Sequence, residues 1–196
     1  MKLYDLHKEP KQLDLNQHEK THIDPIAFAN RNDIKLNPSE NPIEKIASDP
    51  KAAAGYAKHV IKGPWPPGQK AIASDSHAAL DYATNVLKGI FPKGEKVIAT
   101  DPWTSFAYAR DVIKGPFPKG ESILAEYAAT AYKYSKFVLK APFPKGEDVI
   151  AKEPVHAFLY AREVLKGSFP KGEDAIAKEN RHVLEYKQLT GIDLSK

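Results

Sequence analysis

The stretch TDPWTSFAYARDVIKGPFPKGE, from Thr100 to Glu121, decides the fold of this chain. Its last eight residues, KGPFPKGE, recur at a fixed spacing of 26 residues. Close copies begin at Lys62, Lys88, Lys140 and Lys166. A fixed period of this length is the signature of a tandem repeat array, in which each unit is one supersecondary element.

Several residue columns keep the same register along the chain. Tyrosine occupies one column in six units: Tyr56, Tyr82, Tyr108, Tyr134, Tyr160 and Tyr186. An aromatic column comes before the loop proline: Trp65, Phe91, Phe117, Phe143 and Phe169. A glycine column follows that proline: Gly68, Gly94, Gly120, Gly146 and Gly172. Agreement in so many columns indicates a structural repeat and excludes an accident of composition.

Each unit is predicted to contain two helices. In the clearest unit, Asp101 is a favourable N-cap, and the proline after it suits the first helical position. A lysine and then Gly115 end this helix, and the glycine is expected to take a positive φ. Pro118 begins a short second helix with Glu121 in its first turn. Neither helix can bury its apolar side alone, so the units are predicted to stack as an all-α αα-solenoid.

The array is predicted to hold about five to six two-helix units of 26 residues. We expect a non-repeat segment over 1–23, a degenerate capping repeat over 24–50, tandem helical repeats over 51–178, and a C-terminal capping helix and tail over 179–196. The degenerate repeat keeps the helical pattern but has lost the aromatic, the lysine and the glycine of the loop.

One unit departs from the others where its first helix should begin. Tyr127 and Ala128 stand where three other units have an acidic residue followed by proline, and Ala141 replaces the glycine after the lysine. The segment therefore lacks a helix breaker, and we predict a continuous or smoothly bent helix from about Ser122 to Lys140.

The pattern Asp-Pro-x-x-small-x-x-Tyr-Ala-x-x-Val-(Ile/Leu)-Lys-Gly-x-Phe-Pro-x-(Gly/Ala)-Glu resembles short helical repeats found in many tailed-bacteriophage proteins, mostly of unassigned function. The best example runs from Asp101 to Glu121, and the resemblance covers roughly residues 49–190. It implies a phage accessory protein. It brings no catalytic residue and no known ligand with it.

The overall composition is that of an ordinary folded protein. Hydrophobic residues make up 42% and charged residues 28% of the chain. The chain has no cysteine, which excludes disulfides and thiolate metal sites. It shows no apolar run of bilayer length and no signal-like start, so we expect a cytoplasmic protein with no membrane partner. The net charge of +4 permits an anionic partner without requiring one.

The segment HEKTH, from His18 to His22, matches the H-E-x-x-H zinc pattern. On a helix, both histidines would share one face, with Glu19 as the general base. The surrounding residues are polar and Pro25 follows closely, whereas a zinc-protease helix is apolar around its motif. A polar capping segment with solvated histidines is favoured, and a zinc hydrolase is the weaker alternative.

Two basic columns on the first helices form a candidate nucleic-acid ridge. The first column is Lys58, Arg110, Lys136 and Arg162. The second column, four residues on in most units, is Lys62, Lys88, Lys114, Lys140 and Lys166. Positions i and i+4 share a helix face, so stacked units would align these cations, and such a ridge can follow phosphates. The competing explanation is that a lysine in the last turn simply interacts with the helix dipole.

Two sets of residues are candidates for partner binding. The irregular unit contributes Tyr127, Tyr132, Lys133, Lys136 and Phe137, where the array departs most from its own template. The loops contribute the corner lysines, Lys93, Lys119, Lys145 and Lys171, for which the sequence indicates no structural role.

The remaining columns favour structural roles. We expect the tyrosines to be buried, with the hydroxyl bonded to a neighbouring unit's backbone; a stacking platform for bases is the alternative. His156 and His182 are 26 residues apart and are expected to be solvated. The loop glutamates are explained by the N-termini of the short helices.

The sequence therefore predicts a non-enzymatic helical-repeat protein that presents an extended surface to a protein partner. The resemblance implies that the partner is a host or viral protein, including a host defence factor that the protein would inhibit. Nucleic-acid binding through the basic columns is the alternative. We expect no cofactor and no small-molecule substrate.

Overall fold

The computed structural model describes residues 24–195, and all regular secondary structure within them is helical. The α-helices are α1 (Pro25–Arg31), α2 (Pro42–Ser48), α3 (Pro50–Tyr56), α4 (Gln69–Ile72), α5 (Ser76–Asp81), α6 (Glu95–Ile98), α7 (Pro102–Ala107), α8 (Glu121–Leu124), α9 (Ala128–Tyr134), α10 (Glu147–Ile150), α11 (Pro154–Tyr160), α12 (Glu173–Ile176) and α13 (Asn180–Thr190). Successive first helices pack against each other and against the short second helices. The predicted all-α, solenoid-like repeat array is confirmed. No helix in the described part of the chain is long and apolar enough to cross a bilayer.

Three first helices begin with the aspartate N-cap that the sequence predicts for Asp101. The carboxylate of Asp101 accepts a hydrogen bond from the backbone N–H of Thr104 at 2.7 Å, which is N-cap geometry. The same cap recurs at Asp49 and Asp75, which accept from residues three positions further on. These caps fix the start of α3, α5 and α7.

Five first helices end in a π-helical turn, which the sequence pattern did not reveal. The π turns are Ala57–Ile61, Tyr82–Leu87, Tyr108–Ile113, Ser135–Leu139 and Ala161–Leu165. A π turn closes i→i+5 hydrogen bonds and so takes up one extra residue. In α13, which has no such turn, the left-handed residue at the helix end is Gly191, five positions after Tyr186. In the unit with the π turn Tyr108–Ile113, the left-handed residue is Lys114, six positions after Tyr108.

The residue with positive φ at these helix ends is the lysine and not the glycine after it. Lys62, Lys88, Lys114, Lys140 and Lys166 all have φ between 51° and 58°. The N–H groups of Lys114 and Gly115 both donate to the carbonyl of Ala109. The expectation that Gly115 turns the chain is therefore wrong, because the extra π residue moves the left-handed position onto the lysine.

A second glycine column is required by close packing. A Cβ placed on Gly120 would lie 2.6 Å from the ring of Phe117 and 2.8 Å from the hydroxyl of Ser105. By contrast, the nearest atom to a Cβ on Gly115 is 4.0 Å away. The absence of a side chain at Gly120 thus lets the short second helix approach the first. Ala141 stands at the position equivalent to Gly115, where a methyl group has room.

The tyrosine column joins one unit to the next, as predicted. The hydroxyl of Tyr134, which is fully buried, accepts the backbone N–H of Phe117 at 2.9 Å and donates to Glu121 at 3.3 Å. Its ring packs edge-on against Phe143 with centroids 5.2 Å apart. Four more boundaries have the same backbone bond: Trp65 to Tyr82, Phe91 to Tyr108, Phe143 to Tyr160 and Phe169 to Tyr186.

The irregular unit has a corner between its helices although its sequence contains no helix breaker there. Tyr127 is extended, with φ −128° and ψ 119°, and it separates α8 from α9. The predicted continuous helix from Ser122 to Lys140 is wrong. The hydroxyl of Thr130 donates to the carbonyls of Leu124 at 3.2 Å and Tyr127 at 3.1 Å, so a side chain on the following helix holds the corner without an N-cap.

Candidate functional site

A cluster of three buried and two exposed aromatic residues runs across α7, α9 and α11. Phe106, Tyr132 and Phe158 occupy one repeat column, and Trp103 and Phe137 lie beside it on the same helices and their π turns. Phe106 contacts Phe137 of the next unit, with ring centroids 6.5 Å apart. Trp103 is 49% exposed and Phe137 is 47% exposed. We call these five residues the aromatic face.

Cations lie over the rings of the aromatic face. The closest approaches to ring centroids are 4.4 Å for Lys133 over Trp103, 5.0 Å for Arg110 over Phe106, 4.8 Å for Lys136 over Phe137 and 4.9 Å for Arg162 over Phe158. Each such contact contributes about 0.5–1 kcal/mol at an exposed site. The contact of Lys133 with Trp103 joins α9 to α7, so the cations connect units as well as covering rings.

Glu163 is the centre of a charged network on this surface. Its carboxylate accepts the hydroxyl of Tyr132 and the ammonium of Lys136, and it pairs with Arg162 at 2.8 Å. Arg162 also reaches Glu185 on α13 at 3.2 Å. Hydrogen bonds from Lys136 and then Tyr132 lower the pKa of Glu163 to about 2, so this carboxylate is charged at neutral pH.

Two histidines, the half-buried His156 and the buried His182, extend the surface toward α13. His182 is 4% exposed and stacks on Phe158, with centroids 4.6 Å apart and planes 11° apart. His156 lies against Tyr132 at 6.1 Å. Burial lowers the pKa of both imidazoles, and Nδ1 of each is buried without a hydrogen-bond partner in the described part of the chain. The expectation that these histidines are solvated is wrong for His182, because stacked units cover it, whereas His156 is half-buried.

The irregular unit supplies much of this surface. Of the residues predicted there, Lys133, Lys136 and Phe137 lie with the buried Tyr132 among the contacts described above. Tyr127 is 51% exposed but lies at the corner before α9. The sequence prediction missed Trp103, Phe106 and Phe158. Phe106 and Phe158 could have been predicted, because each lies 26 residues from Tyr132 and so shares its repeat column.

The corner lysines have a structural role that the sequence did not show. Each reaches a side chain of the preceding unit: Lys93 to Gln69 at 2.9 Å, Lys119 to Glu95 at 2.6 Å, Lys145 to Glu121 at 2.7 Å and Lys171 to Asp148 at 3.0 Å. The glutamates also accept the tyrosine hydroxyls, so they do more than face a helix N-terminus. Because the lysines are largely exposed, each pair contributes at most about 1 kcal/mol.

The two basic columns have different surroundings. The first column is paired with carboxylates: Lys58 with Asp81 at 2.9 Å, Arg110 with Asp111 at 2.7 Å, and Lys136 and Arg162 with Glu163. The second column is exposed and makes no ion pair with any residue between 24 and 195. Its lysines take the left-handed conformation at the helix end, so the i, i+4 relation of a continuous α-helix does not describe how they lie relative to the first column.

Helix energetics alone do not favour lysine at these left-handed positions. The left-handed conformation costs an L-residue roughly 1–2 kcal/mol. A cation beside a helix C-terminus gains about 0.3–1 kcal/mol. The two effects cancel at best, so interaction with the helix dipole does not account for lysine in all five units.

The zinc pattern at His18, Glu19 and His22 lies outside the described residues. Within residues 24–195, no group of three or more His, Asp or Glu side chains is arranged to hold a metal ion. No protein-family model, no curated protein and no solved structure matches the chain. The fold and its surfaces define an α-helical repeat protein.

Proposed function

We propose that this chain is a non-enzymatic helical-repeat protein that binds a protein partner through the aromatic face. The observation that carries the proposal is the half-exposure of Trp103 and Phe137 where rings and cations of three successive units meet. Large rings left in solvent mark interaction surfaces when they are clustered and rimmed by polar groups.

The chemistry of the aromatic face favours a protein over a nucleic acid. Trp, Tyr and Arg are the residues that most often dominate protein interfaces. Asp111, Glu163 and Glu185 alternate with the cations of this surface. These carboxylates would repel phosphates, whereas a protein surface with both signs of charge can complement them.

The face is also held in place before any partner arrives. Ring–cation contacts and the pairs around Glu163 fix side chains from α7, α9, α11 and α13 relative to one another. A pre-organised surface loses less side-chain entropy on binding, which improves affinity for a given area.

The resemblance to phage repeats suggests a class of partner. We propose a host or viral protein as the partner, encountered in the host cytoplasm, and inhibition of a host defence factor as the outcome. Repeat arrays commonly use their extended surfaces in this way, which supports the proposal by fold-level analogy.

The proposal is tested by quantitative affinity capture from bacterial lysate with three forms of the full chain. The test variant is Trp103→Ala/Phe137→Ala. The matched control is Ile90→Ala, which removes an apolar side chain that is 55% exposed outside the aromatic face. We expect the wild type and the control to retain the same protein, and the test variant to lose it at least tenfold. Equal retention by all three forms, or no specific capture by the wild type, would contradict the proposal.

A further inference from the structure

Beyond protein binding, we infer that the second basic column is a contact site for the phosphate backbone of a nucleic acid. We call Lys62, Lys88, Lys114, Lys140 and Lys166 the lysine row. It shares no residue with the aromatic face, so this inference does not depend on the proposed function.

The lysine row differs from most of the other cations that recur in the array. All five side chains are exposed, and none is paired with a carboxylate of the described residues. The corner lysine Lys119 and the first-column Lys58 each have an acidic partner in a neighbouring unit. Within residues 24–195 the array therefore supplies counter-charges to other cations and none to this row.

The conformation of the row points to a role for the lysine side chain itself. Each lysine is held at positive φ, where glycine or asparagine would be less strained. Gly115 and its counterparts follow at once and do not take that conformation. Strained residues that persist cluster at functional sites, and the interaction with the helix dipole does not compensate for the strain here.

The spacing of the row suits a uniformly charged polymer. Helices in contact pack about 8–10 Å apart, which places five lysines along about 32–40 Å. Every step presents the same residue in the same backbone conformation. Five identical contacts cannot distinguish one base from another, so the row fits the regular phosphate backbone of a nucleic acid better than the varied surface of an acidic protein.

The local electrostatics favour an anion. A helix C-terminus carries about half a negative charge, which the full positive charge of each lysine exceeds. The chain as a whole carries a net charge of +4 with a pI near 9.0. Five phosphate contacts predict that log K falls with log salt with a slope of about −4.5 on duplex DNA. Raising salt from 50 to 200 mM should then weaken binding about 500-fold.

Two full-length variants that each remove four charges test the inference. The row variant is Lys88→Asn/Lys114→Asn/Lys140→Asn/Lys166→Asn. Asparagine tolerates the left-handed conformation, so the melting temperature should be unchanged or higher. The charge-matched control is Lys93→Gln/Lys119→Gln/Lys145→Gln/Lys171→Gln, which leaves the row intact. The probe is a fluorescent DNA duplex of 20 base pairs and arbitrary sequence, titrated at several salt concentrations.

We expect the wild type to bind with a slope near −4.5, the row variant to bind at least tenfold more weakly with a slope near −0.9, and the control to stay within about threefold of the wild type. Absence of wild-type binding at low salt would overturn the inference. Equal losses in both variants would assign binding to net charge and overturn it too. Poly-L-glutamate that competes as well as unlabelled DNA at equal charge would mark an acidic protein as the ligand and overturn the assignment to nucleic acid.

Discussion

The hydroxyl of Tyr134 accepts the backbone N–H of Phe117 across a repeat boundary, with nitrogen and oxygen 2.9 Å apart. Four other boundaries have an equivalent bond to tyrosine. This bond connects the two most regular columns of the sequence. It also sets the register between units, because the tyrosine reaches back 17 residues to a loop that has no helical partner for that N–H.

Tyr134→Phe should destabilise the array by about 1–3 kcal/mol, because it leaves the buried N–H of Phe117 without an acceptor. Urea unfolding followed by circular dichroism measures the change. Tyr127→Phe is the matched control, since Tyr127 is half exposed and outside the joint. Equal stability of the two variants would show that the hydroxyl does not hold the boundary.

Gly120→Ala and Gly115→Ala should differ although they lie five residues apart. The added methyl at Gly120 would overlap the Phe117 ring and the Ser105 hydroxyl, which costs about 1–3 kcal/mol. The methyl at Gly115 would have no neighbour closer than 4.0 Å, and the change there should stay within about 0.5 kcal/mol. Thermal unfolding of both variants checks this, and a larger loss at Gly115 would contradict the assignment of positive φ to the lysine.

Acidification should destabilise the C-terminal units. Burial lowers the folded-state pKa of His156 and His182 below the ordinary 6.5, so the folded state favours the neutral rings. Below pH 6.5 the unfolded chain binds protons that the folded chain does not, and stability falls as pH falls. His182→Phe, which keeps a ring against Phe158, should reduce the drop in melting temperature between neutral and acidic buffer. An unchanged drop would place the pH sensitivity elsewhere.

Alkaline titration should destabilise the joints. Burial raises the pKa of Tyr108, Tyr134, Tyr160 and Tyr186 to about 12, above the ordinary 10.0. The stabilisation from these neutral hydroxyls is complete below pH 10 and is lost as pH rises toward 12. Parallel measurement of tyrosinate absorbance and helicity should show their ionisation together with loss of helix. Ionisation of these tyrosines near pH 10 with helicity intact would contradict the buried joint.

Much of the fold could be predicted because its determinants are local and repeated. The N-cap at Asp101, the short second helix after Pro118 and the tyrosine column all follow from residue type and spacing. The π turn could not be predicted in this way. The apolar positions of the first helix fit an α-helix equally well, and the extra residue moves positive φ from Gly115 onto Lys114.

Features that depend on contacts between units were the hardest to predict. The corner at Tyr127 is held by the Thr130 hydroxyl and by packing, which overrides the absence of a helix breaker. The partner of Lys119 lies 24 residues earlier in the chain. Two of the five residues of the aromatic face, Tyr132 and Phe137, could be predicted from the irregular unit. Trp103 joins the face through Lys133 of the next unit, which lies over its ring.

The most direct test of the proposed protein-binding surface is site-specific photo-crosslinking from position 137. A photo-reactive phenylalanine analogue replaces Phe137 in one form of the chain and Ile90 in another, both in exposed apolar positions. The account predicts that the partner captured by the wild type is crosslinked from position 137 and not from position 90. Crosslinking from position 90 alone, with none from 137, would contradict it.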